Sequence, residues 1–230
     1  MGYQVDVHSH LLPGIDDGVT SWEESLTILQ QLADWGFESV ITTPHILSEY
    51  YPNSPETILP LLDELRTRAT DAGLNLTLEA AAEYYVDEQF MDMLASKSPL
   101  LSFGPENMVL FETGFMNEPR FLSEAVFQLA AQGYKPVMAH PERYAYFHED
   151  PDRIGFYADR VLFQINTLSL IGYYNPMSKK IAQRMHRAEL IHFLGSDLHR
   201  PRQLEAMKDA LGSSLARKIQ QAGIQNAKLV

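Results

Sequence analysis

The chain has 230 residues, no cysteine, and a formal charge of −12 from 18 basic and 30 acidic side chains. Disulfides, thiolate metal sites and cysteine nucleophiles are therefore excluded, and the acidic balance argues against nucleic acid as a partner, because phosphate backbones attract basic surfaces. The apolar segments are too short and too often interrupted by charge to cross a membrane. We expect a cytoplasmic protein without direct membrane insertion, folded as a single domain over residues 1–230.

Apolar segments rich in β-forming residues alternate with helical patterns along the whole chain. Their hydrophobicity is continuous rather than alternating, which is typical of strands covered on both faces in a parallel sheet. Seven β–α units in series with right-handed crossovers predict an α/β barrel of seven strands. The predicted strands cover residues 3–8, 38–45, 75–83, 107–112, 134–140, 161–166 and 190–197.

Helix boundaries are marked by capping residues, prolines and glycines. Ser21 and Glu24 have the spacing of a capping box at the start of the first helix. In the second helix, Pro60 predicts either a kink or a later start. Residues 203–222 predict a terminal helix broken near Gly212. The other predicted helix starts are Ser54, Pro119 and Asn175, and the predicted ends are Gly36, Gly73 and Gly133.

Histidines and acids collect where the predicted strands end, which is where parallel α/β folds bind their ligands. A single histidine there is more often a hydrogen-bonded residue at the edge of the core, but chance poorly explains five of the eight histidines at one rim. Only the sixth strand differs, since it offers Gln164 and Asn166. The residues at the other strand ends are His8, His10, His45, Glu83, Glu112, His140, Asp197 and His199.

The H-x-H of His8 and His10 can chelate one ion, because side chains two residues apart in a strand lie on the same side of the sheet. The D-x-H of Asp197 and His199 has the same property. Imidazole and carboxylate ligands suit zinc, manganese and iron.

The charge of such a pocket argues for several ions. Four carboxylates gathered without cations would repel one another and raise each other's pKa values. Three divalent cations would leave a charge of about +2, or about +1 with a bridging hydroxide, which suits a phosphate dianion. Ions in such a pocket would also lower the pKa of bound water enough to give a nucleophile at neutral pH.

The chain resembles the PHP (polymerase and histidinol phosphatase) superfamily over nearly its whole length, because seven motifs occur in the order typical of that superfamily. The sequence DDG after H-x-H, together with HPERY, is similar to the manganese-dependent protein-tyrosine phosphatases of bacterial capsule and exopolysaccharide operons. The resemblance implies an α/β fold of the PHP type, a distorted (β/α)7 TIM-like barrel with three divalent ions, Mn²⁺ or alternatively iron or zinc. The motifs are DVHSHLLPGIDDG, ITTPH, AAEYY, LFET, AHPERY, FQIN and SDLH.

The resemblance also implies how the metal ligands divide among the three ions. Glu83 would bridge two of them. Asp17 is the ligand in its acidic pair, and Asp16 is expected to be a neighbour of the ligands. The implied sets are His8, His10, Glu83 and Asp197 for the first ion, Glu83, Glu112 and His140 for the second, and Asp17, His45 and His199 for the third.

Substrate contacts are implied at fewer positions. Arg143 of HPERY matches a catalytic arginine that contacts the substrate phosphate, a role that suits its planar donor fork, with a structural salt bridge as the alternative. The family commonly has a second arginine after D-x-H, for which Arg200 and Arg202 are both candidates. Tyr50 and Tyr51 could stack on a phosphotyrosine ring, or could simply pack within their loop.

The leading hypothesis is therefore a metal-dependent protein-tyrosine phosphatase that hydrolyses phosphotyrosine by attack of a metal-bridging hydroxide. Its expected partner is a phosphotyrosine protein, a bacterial tyrosine kinase of polysaccharide synthesis. Two alternatives stay open: a phosphatase for histidinol phosphate or another small phosphomonoester, and a catalytically silent PHP binding module.

Overall fold

The computed structural model describes residues 4–229, and every pairing between its strands is parallel. Parallel sheets with helical crossovers confirm the predicted α/β class. Tyr3 of the first predicted strand lies outside the described residues. The strands are β1 (Val5–Asp6), β2 (Ser39–Thr42), β3 (His45–Ile46), β4 (Thr77–Ala80), β5 (Glu83–Tyr85), β6 (Met108–Glu112), β7 (Lys135–Ala139), β8 (Leu162–Asn166) and β9 (Phe193–Gly195).

Two of the seven predicted strands are each split in two. The second is interrupted at Thr43 and Pro44 to give β2 and β3, and the third at Ala81 and Ala82 to give β4 and β5. Pro44 explains the first break, because proline has no N–H to donate to a neighbouring strand. Both breaks fall just before a predicted metal ligand, His45 in one case and Glu83 in the other.

The strands form two sheets in the orders β1-β2-β4 and β3-β5-β6-β7-β8-β9. The segments that follow β1 and β9 also pair with each other. Asp197 N donates to His8 O at 2.8 Å, and His10 N donates to Leu198 O at 3.0 Å. A parallel bridge joins Ser9 to Leu198. These contacts bring the first and last strands side by side, as a closed barrel of seven strand segments requires.

The helices follow most of the sequence signals. Ser21 Oγ accepts from Glu24 N at 3.4 Å, as predicted, although the Glu24 carboxylate accepts from Thr20 rather than from Ser21. No helix among residues 4–229 has the length and apolar character needed to span a membrane. The bounds are α1 (Trp22–Asp34), α2 (Pro55–Asp71), α3 (Glu88–Ala95), α4 (Leu122–Ala131), α5 (Ala145–Glu149), α6 (Ile154–Tyr157), α7 (Pro176–Arg187), α8 (Leu204–Leu211) and α9 (Ser214–Gln221).

Prolines gave one wrong helix start and one wrong alternative, whereas the start predicted at Ser54 is confirmed, since Ser54 is the N-cap of α2. α2 runs without interruption through Pro60, whose side chain is exposed, so the later start is wrong. α4 begins at Leu122 rather than at Pro119, because Leu122 N first donates to Pro119 O at 3.1 Å and closes a turn ahead of the helix. The predicted break near Gly212 is confirmed by the boundary between α8 and α9.

Two apolar cores lie on either side of the strands. The larger one packs the helices against the sheets. The smaller one, which we call the inner apolar cluster, takes side chains from β1, β2, β6, β7 and β9 and from segments outside the strands. Met108 and Phe193 begin their strands, so part of the cluster lies toward the amino ends, away from the predicted ligands. Its members are Val5, Val7, Ile41, Ala81, Phe103, Met108, Leu110, Val137, Ala139 and Phe193.

Candidate metal centre

All nine predicted metal ligands converge at the carboxyl ends of the strands. His8 Nε2 lies 3.2 Å from His10 Nε2 and 3.2 Å from Glu83 Oε2. His8 Nε2 is also 3.4 Å from Asp197 Oδ1, contributed by the segment after β9. His8 and Asp197 are 189 residues apart in the chain and meet here because the parallel strands all end at the same edge. We call this set of nine residues the metal-centre cluster.

The metal-centre cluster contains four overlapping groups in which one ligand atom from each residue lies within 4.8 Å of the others. The predicted third set, Asp17, His45 and His199, occurs together with His10 added. Most of the other predicted pairings also occur, but Glu83 shares no group with His10 or Asp197, and Glu112 shares none with His140. The groups are His10, Asp17, His45 and His199; His8, Glu83 and His140; His8, His10 and Asp197; and His45, Glu83 and Glu112.

His45 differs most from its predicted place, because it faces two groups at once. Its Nε2 lies 3.3 Å from Asp17 Oδ1, as the third set requires. Its Nδ1 lies 3.1 Å from Glu83 Oε2 and 3.1 Å from Glu112 Oε1. The break between β2 and β3 places this imidazole between the two groups, and the spacing of residues along the chain could not show that.

Two members of the cluster sit on unusual backbone. His140 follows β7 with φ 34°, and Asp197 follows β9 with φ 52°. Left-handed conformations are uncommon for residues other than glycine and concentrate at functional sites, where the surrounding structure enforces them. In this conformation His140 Nε2 lies 2.9 Å from Glu83 Oε1.

The outer nitrogens of the H-x-H pair are held by neighbours outside the four groups. His10 Nδ1 donates to Asp16 Oδ2 at 2.8 Å, and Gln164 Oε1 lies 2.8 Å from His8 Nδ1. Asp16 therefore lies beside a ligand, as expected for it. Hydrogen bonds of this kind orient metal-binding imidazoles. The Nε2 atoms of His8 and His10 are left facing each other and the acids.

Burial and charge work against each other in this cluster. Burial lowers the pKa of His8, but the nearby charges of Glu83 and Asp197 outweigh it, and the pKa is raised. Burial raises the pKa of Glu83, but the charges of His8 and His45 hold it well below its usual range. Without cations, protons on the imidazoles thus compensate the buried carboxylates.

The residues present fit a group of divalent cations. His45 Nδ1 and Glu83 Oε2 are buried and have no hydrogen-bond partner among the described residues, although they lie only 3.1 Å apart. Such orphaned polar atoms are costly unless something else binds them. The donors are imidazole nitrogens and carboxylate oxygens, the set that suits zinc, manganese and iron.

A cavity of about 520 Å³ opens over the cluster. Four of the residues predicted to contact substrate line it, namely Tyr51, Arg143, Arg200 and Arg202. Tyr50 is not among the lining residues, and its side chain is 71% exposed, so only one tyrosine of this pair lies beside the site. The lining also includes aromatic residues that the sequence reasoning missed: Tyr85, Phe115, Tyr173 and Tyr174. Tyr85 stands two residues after Glu83 in AAEYY, a signal that could have found it.

Arg143 is fixed from three directions. Its Nη1 donates to Asp197 Oδ2 at 2.8 Å, so the salt bridge considered as an alternative is present. Its guanidinium also lies over the rings of Phe115 and Tyr174, 4.7 Å and 4.1 Å from their centroids. The side chain is 22% exposed and lines the cavity. A guanidinium has five N–H donors, so an ion pair through Nη1 leaves others for a ligand.

Comparisons with known proteins agree on one family. The family model described as capsular polysaccharide synthesis, CpsB/CapC, matches residues 4–227. The tyrosine-protein phosphatase YwqE of Bacillus subtilis is 31% identical over 85% of this chain and 77% of its own length. The tyrosine-protein phosphatase CpsB of Streptococcus pneumoniae is 23% identical over 98% of this chain and 97% of its own length.

Solved structures show the same relationship. A chain from the crystal structures of YwqE and CpsB, called unique metal-dependent tyrosine phosphatases, matches with a TM-score of 0.80 and 27% identity over 97% of this chain and 94% of its own. The histidinol phosphate phosphatase of Lactococcus lactis, complexed with zinc, L-histidinol and phosphate, has a TM-score of 0.59 at 15% identity and covers 96% of this chain and 94% of its own. The second match concerns the fold alone.

Proposed function

Because this chain belongs to the CpsB/CapC family of capsular polysaccharide synthesis, we propose that it is a metal-dependent protein-tyrosine phosphatase. The observation that carries the proposal is the convergence of nine imidazole and carboxylate side chains beneath one cavity. The similarity to relatives named tyrosine-protein phosphatases supports the same activity.

Three divalent ions, with Mn²⁺ as the first choice, are the proposed cofactors of the metal-centre cluster. The ligands are His8, His10, Asp17, His45, Glu83, Glu112, His140, Asp197 and His199. Bound ions of this kind polarise phosphate oxygens and provide a nucleophile from water at neutral pH.

The protein's own part in the reaction is to place positively charged side chains beside the phosphate and to keep them in position. Arg143 lines the cavity, where its remaining donors can bind phosphate oxygens and offset negative charge in the transition state. The rings of Phe115 and Tyr174 keep the guanidinium in place before substrate arrives. Arg200 and Arg202 stand at the same cavity and are candidates for a second phosphate contact.

Phosphotyrosine is favoured over small phosphomonoesters by the walls of the cavity. Tyr51, Tyr85, Phe115 and Tyr173 give it aromatic surface beside the acids and imidazoles, which suits an aromatic ring attached to the phosphate. Histidinol phosphate is the second candidate, because a protein of the same fold was solved with L-histidinol and phosphate. The silent binding module is disfavoured, since all nine ligand positions hold residues able to bind metal.

The substrate protein is proposed from the family. A membrane-associated tyrosine kinase of capsular polysaccharide synthesis would be dephosphorylated in the cytoplasm, by a chain that acts as one catalytic domain over residues 1–230. A phosphotyrosine on such a partner could reach the centre through the open cavity mouth.

The test is a substrate panel with manganese-loaded protein. It compares phosphotyrosine peptides with phosphoserine peptides, L-histidinol phosphate and p-nitrophenyl phosphate, and measures kcat/KM for each. We expect phosphotyrosine peptides to be preferred and thiol-modifying reagents to have no effect, because the chain has no cysteine. A higher kcat/KM for L-histidinol phosphate would instead support the small-molecule phosphatase, and no hydrolysis of any substrate would support the silent module.

A further inference from the structure

The end of β8 carries two buried amides that connect two members of the metal-centre cluster. Gln164 Oε1 lies 2.8 Å from His8 Nδ1, and Gln164 Nε2 lies 2.9 Å from Asn166 Oδ1. Asn166 Nδ2 in turn lies 2.5 Å from Asp197 Oδ2. His8, Gln164 and Asn166 are completely buried, and Asp197 is nearly so. The result is a chain of three hydrogen bonds from an imidazole to a carboxylate.

Asp197 determines which atom donates and which accepts in each of these three hydrogen bonds. Asp197 Oδ2 also faces Arg143 Nη1 at 2.8 Å, and a guanidinium can only donate, so this oxygen is an acceptor. The atom of Asn166 that faces it must therefore belong to the NH₂ group, and the carbonyl of Asn166 faces Gln164. The same reasoning directs the NH₂ of Gln164 toward Asn166 and its carbonyl toward His8.

His8 Nδ1 must then carry a hydrogen, because it faces a carbonyl oxygen that can only accept. When the imidazole is neutral, the opposite nitrogen, Nε2, keeps its lone pair, which faces Glu83 Oε2 and Asp197 Oδ1 at 3.2 Å and 3.4 Å. If His8 adopted the other tautomer, both amides would have to turn over. That would put the Asn166 carbonyl against the Asp197 carboxylate, where two acceptors would meet.

We propose that Gln164 and Asn166 are positioning residues for His8. Because Asp197 can only accept, both amides are oriented with their carbonyls toward His8, which places the hydrogen of the neutral imidazole on Nδ1. Nε2 is then free to bind a metal ion in the metal-centre cluster. We call this chain the amide relay. Asp197 serves the cluster with Oδ1 and the relay with Oδ2, so two proposed ligands of one ion orient each other. The functional meaning of the relay rests on the proposed metal-dependent activity, whereas the tautomer itself does not.

The backbone of the neighbouring strand packs closely against the relay at Gly195. A Cβ at Gly195 on the neighbouring strand would lie 2.6 Å from His8 Cβ and 2.7 Å from Gln164 Nε2. Contacts below 3.0 Å force a displacement, so only glycine allows both side chains to stay where they are. The other imidazole of the pair uses a simpler device, since His10 Nδ1 donates directly to Asp16. Of the two imidazoles, His8 is the one bonded to an amide, which can present either a donor or an acceptor. Its orientation must therefore be set by further hydrogen bonds.

The experiment reads the tautomer directly in metal-free protein. The ¹⁵N shifts of the imidazole nitrogens of His8, assigned by difference with His8→Asn, are measured at an alkaline pH where imidazoles are neutral. We expect a hydrogen on Nδ1 in the native protein. Gln164→Glu should retain it, because a carboxylate oxygen still accepts from Nδ1, whereas Gln164→Met should lose it. Zinc affinity, measured with a competing chelator, should fall about 10- to 100-fold in Gln164→Met.

Asn226 offers a matched control, because it is another completely buried amide with three hydrogen bonds. It joins Val5 and Leu194 instead of two ligands. Asn226→Ala should lower the melting temperature while leaving the His8 tautomer and the zinc affinity unchanged. An equal loss of zinc affinity in Asn226→Ala and Gln164→Met would overturn the proposal, since it would show a general effect of stability.

The native protein alone can also refute the relay, so the test survives a variant that does not fold. A hydrogen on Nε2 of His8 in native protein would overturn it, as would Nδ1–H retained with unchanged zinc affinity in Gln164→Met. If the protein hydrolysed no phosphate ester but His8 carried its hydrogen on Nδ1 and lost it in Gln164→Met, the relay would stand and the proposed function would fall.

Discussion

The two ends of the strands follow opposite rules. The inner apolar cluster, with Met108 and Phe193 at strand starts, contains only aliphatic and aromatic side chains and thioethers. The metal-centre cluster at the other end buries Glu83 and His8 completely, and oppositely charged neighbours favour the charged form of each: Glu83 and Asp197 for His8, and His8 and His45 for Glu83. Burial of apolar surface favours folding, whereas burial of charge opposes it unless the charge is paired.

The difference suggests a division of roles, in which the inner apolar cluster stabilises the fold and the metal-centre cluster serves activity. We expect changes in the inner apolar cluster to lower the free energy of unfolding without affecting turnover. We expect the metal-centre cluster to destabilise the metal-free protein and to become favourable when cations replace the protons on its imidazoles. The experiments below test that division, from the largest expected effect on turnover to the smallest.

Removing metal should have the largest effect. Dialysis against EDTA is expected to reduce hydrolysis of phosphotyrosine peptide to background, and manganese should restore it. Calorimetry should also show a lower melting temperature without metal, because a ligand at 100 times its Kd stabilises the native state by about 2.7 kcal/mol. Full activity after exhaustive chelation would contradict the division between the two ends.

Substituting one ligand should come next. His140→Ala is expected to lower kcat/KM more than about 100-fold, because removing a mere outer neighbour of a metal ligand already costs about 10- to 100-fold. The control is His186→Ala on α7, a histidine that belongs to none of the four ligand groups. Similar turnover in both variants would remove His140 from the site.

Replacing Arg143 should lower kcat/KM less than replacing a metal ligand does, and a lysine at this position should not restore it. Arg143→Ala is expected to lower kcat/KM about 100-fold, the lower end of the range for removing a transition-state donor. Arg143→Lys should recover little of it, because an ammonium cannot lie flat between Phe115 and Tyr174 or form a planar donor fork. Recovery of native kcat/KM by Arg143→Lys would show that only charge is needed.

The pH dependence of metal affinity follows from the raised pKa values of His8, His10 and His45. Below those values the imidazoles of metal-free protein hold protons, and cations must displace them. Affinity should therefore rise as the pH rises through them and weaken as it falls. Calorimetric titration of Mn²⁺ in two buffers of different ionisation enthalpy should show proton release near neutral pH, and no release would refute this assignment.

The smallest effect on turnover is expected at the opposite end. Phe103 is buried in the inner apolar cluster and meets the Phe193 ring edge-on at 6.2 Å. Phe103→Ala should lower the free energy of unfolding by about 3–5 kcal/mol. The kcat of the folded fraction should stay at the native value, measured below the transition in a urea titration. A tenfold loss of kcat would show that the two ends are coupled.

The position of the ligands at the strand ends could be predicted from the sequence, because all parallel strands have their carboxyl ends at the same edge of a sheet. In addition, the two side chains of an H-x-H lie on the same side of a strand. The α/β class and the break near Gly212 were readable for similar reasons, since they follow from local periodicity and turn chemistry. The helix start predicted at Pro119 was wrong, and so was the later start of α2 offered as an alternative at Pro60. Proline restricts its own φ and removes one donor, but whether a helix passes through it depends on packing.

The sequence by itself determined which residue types meet at the mouth of the fold. Only the tertiary structure decided how they share their atoms: His45 turns a different nitrogen to each of two groups, and Asp197 divides its oxygens between the cluster and Asn166. Gln164 and Asn166 stood in the sequence as the strand end without a strong ligand. Hydrogen-bond direction depends on atoms brought together from distant strands, and no spacing along the chain records it.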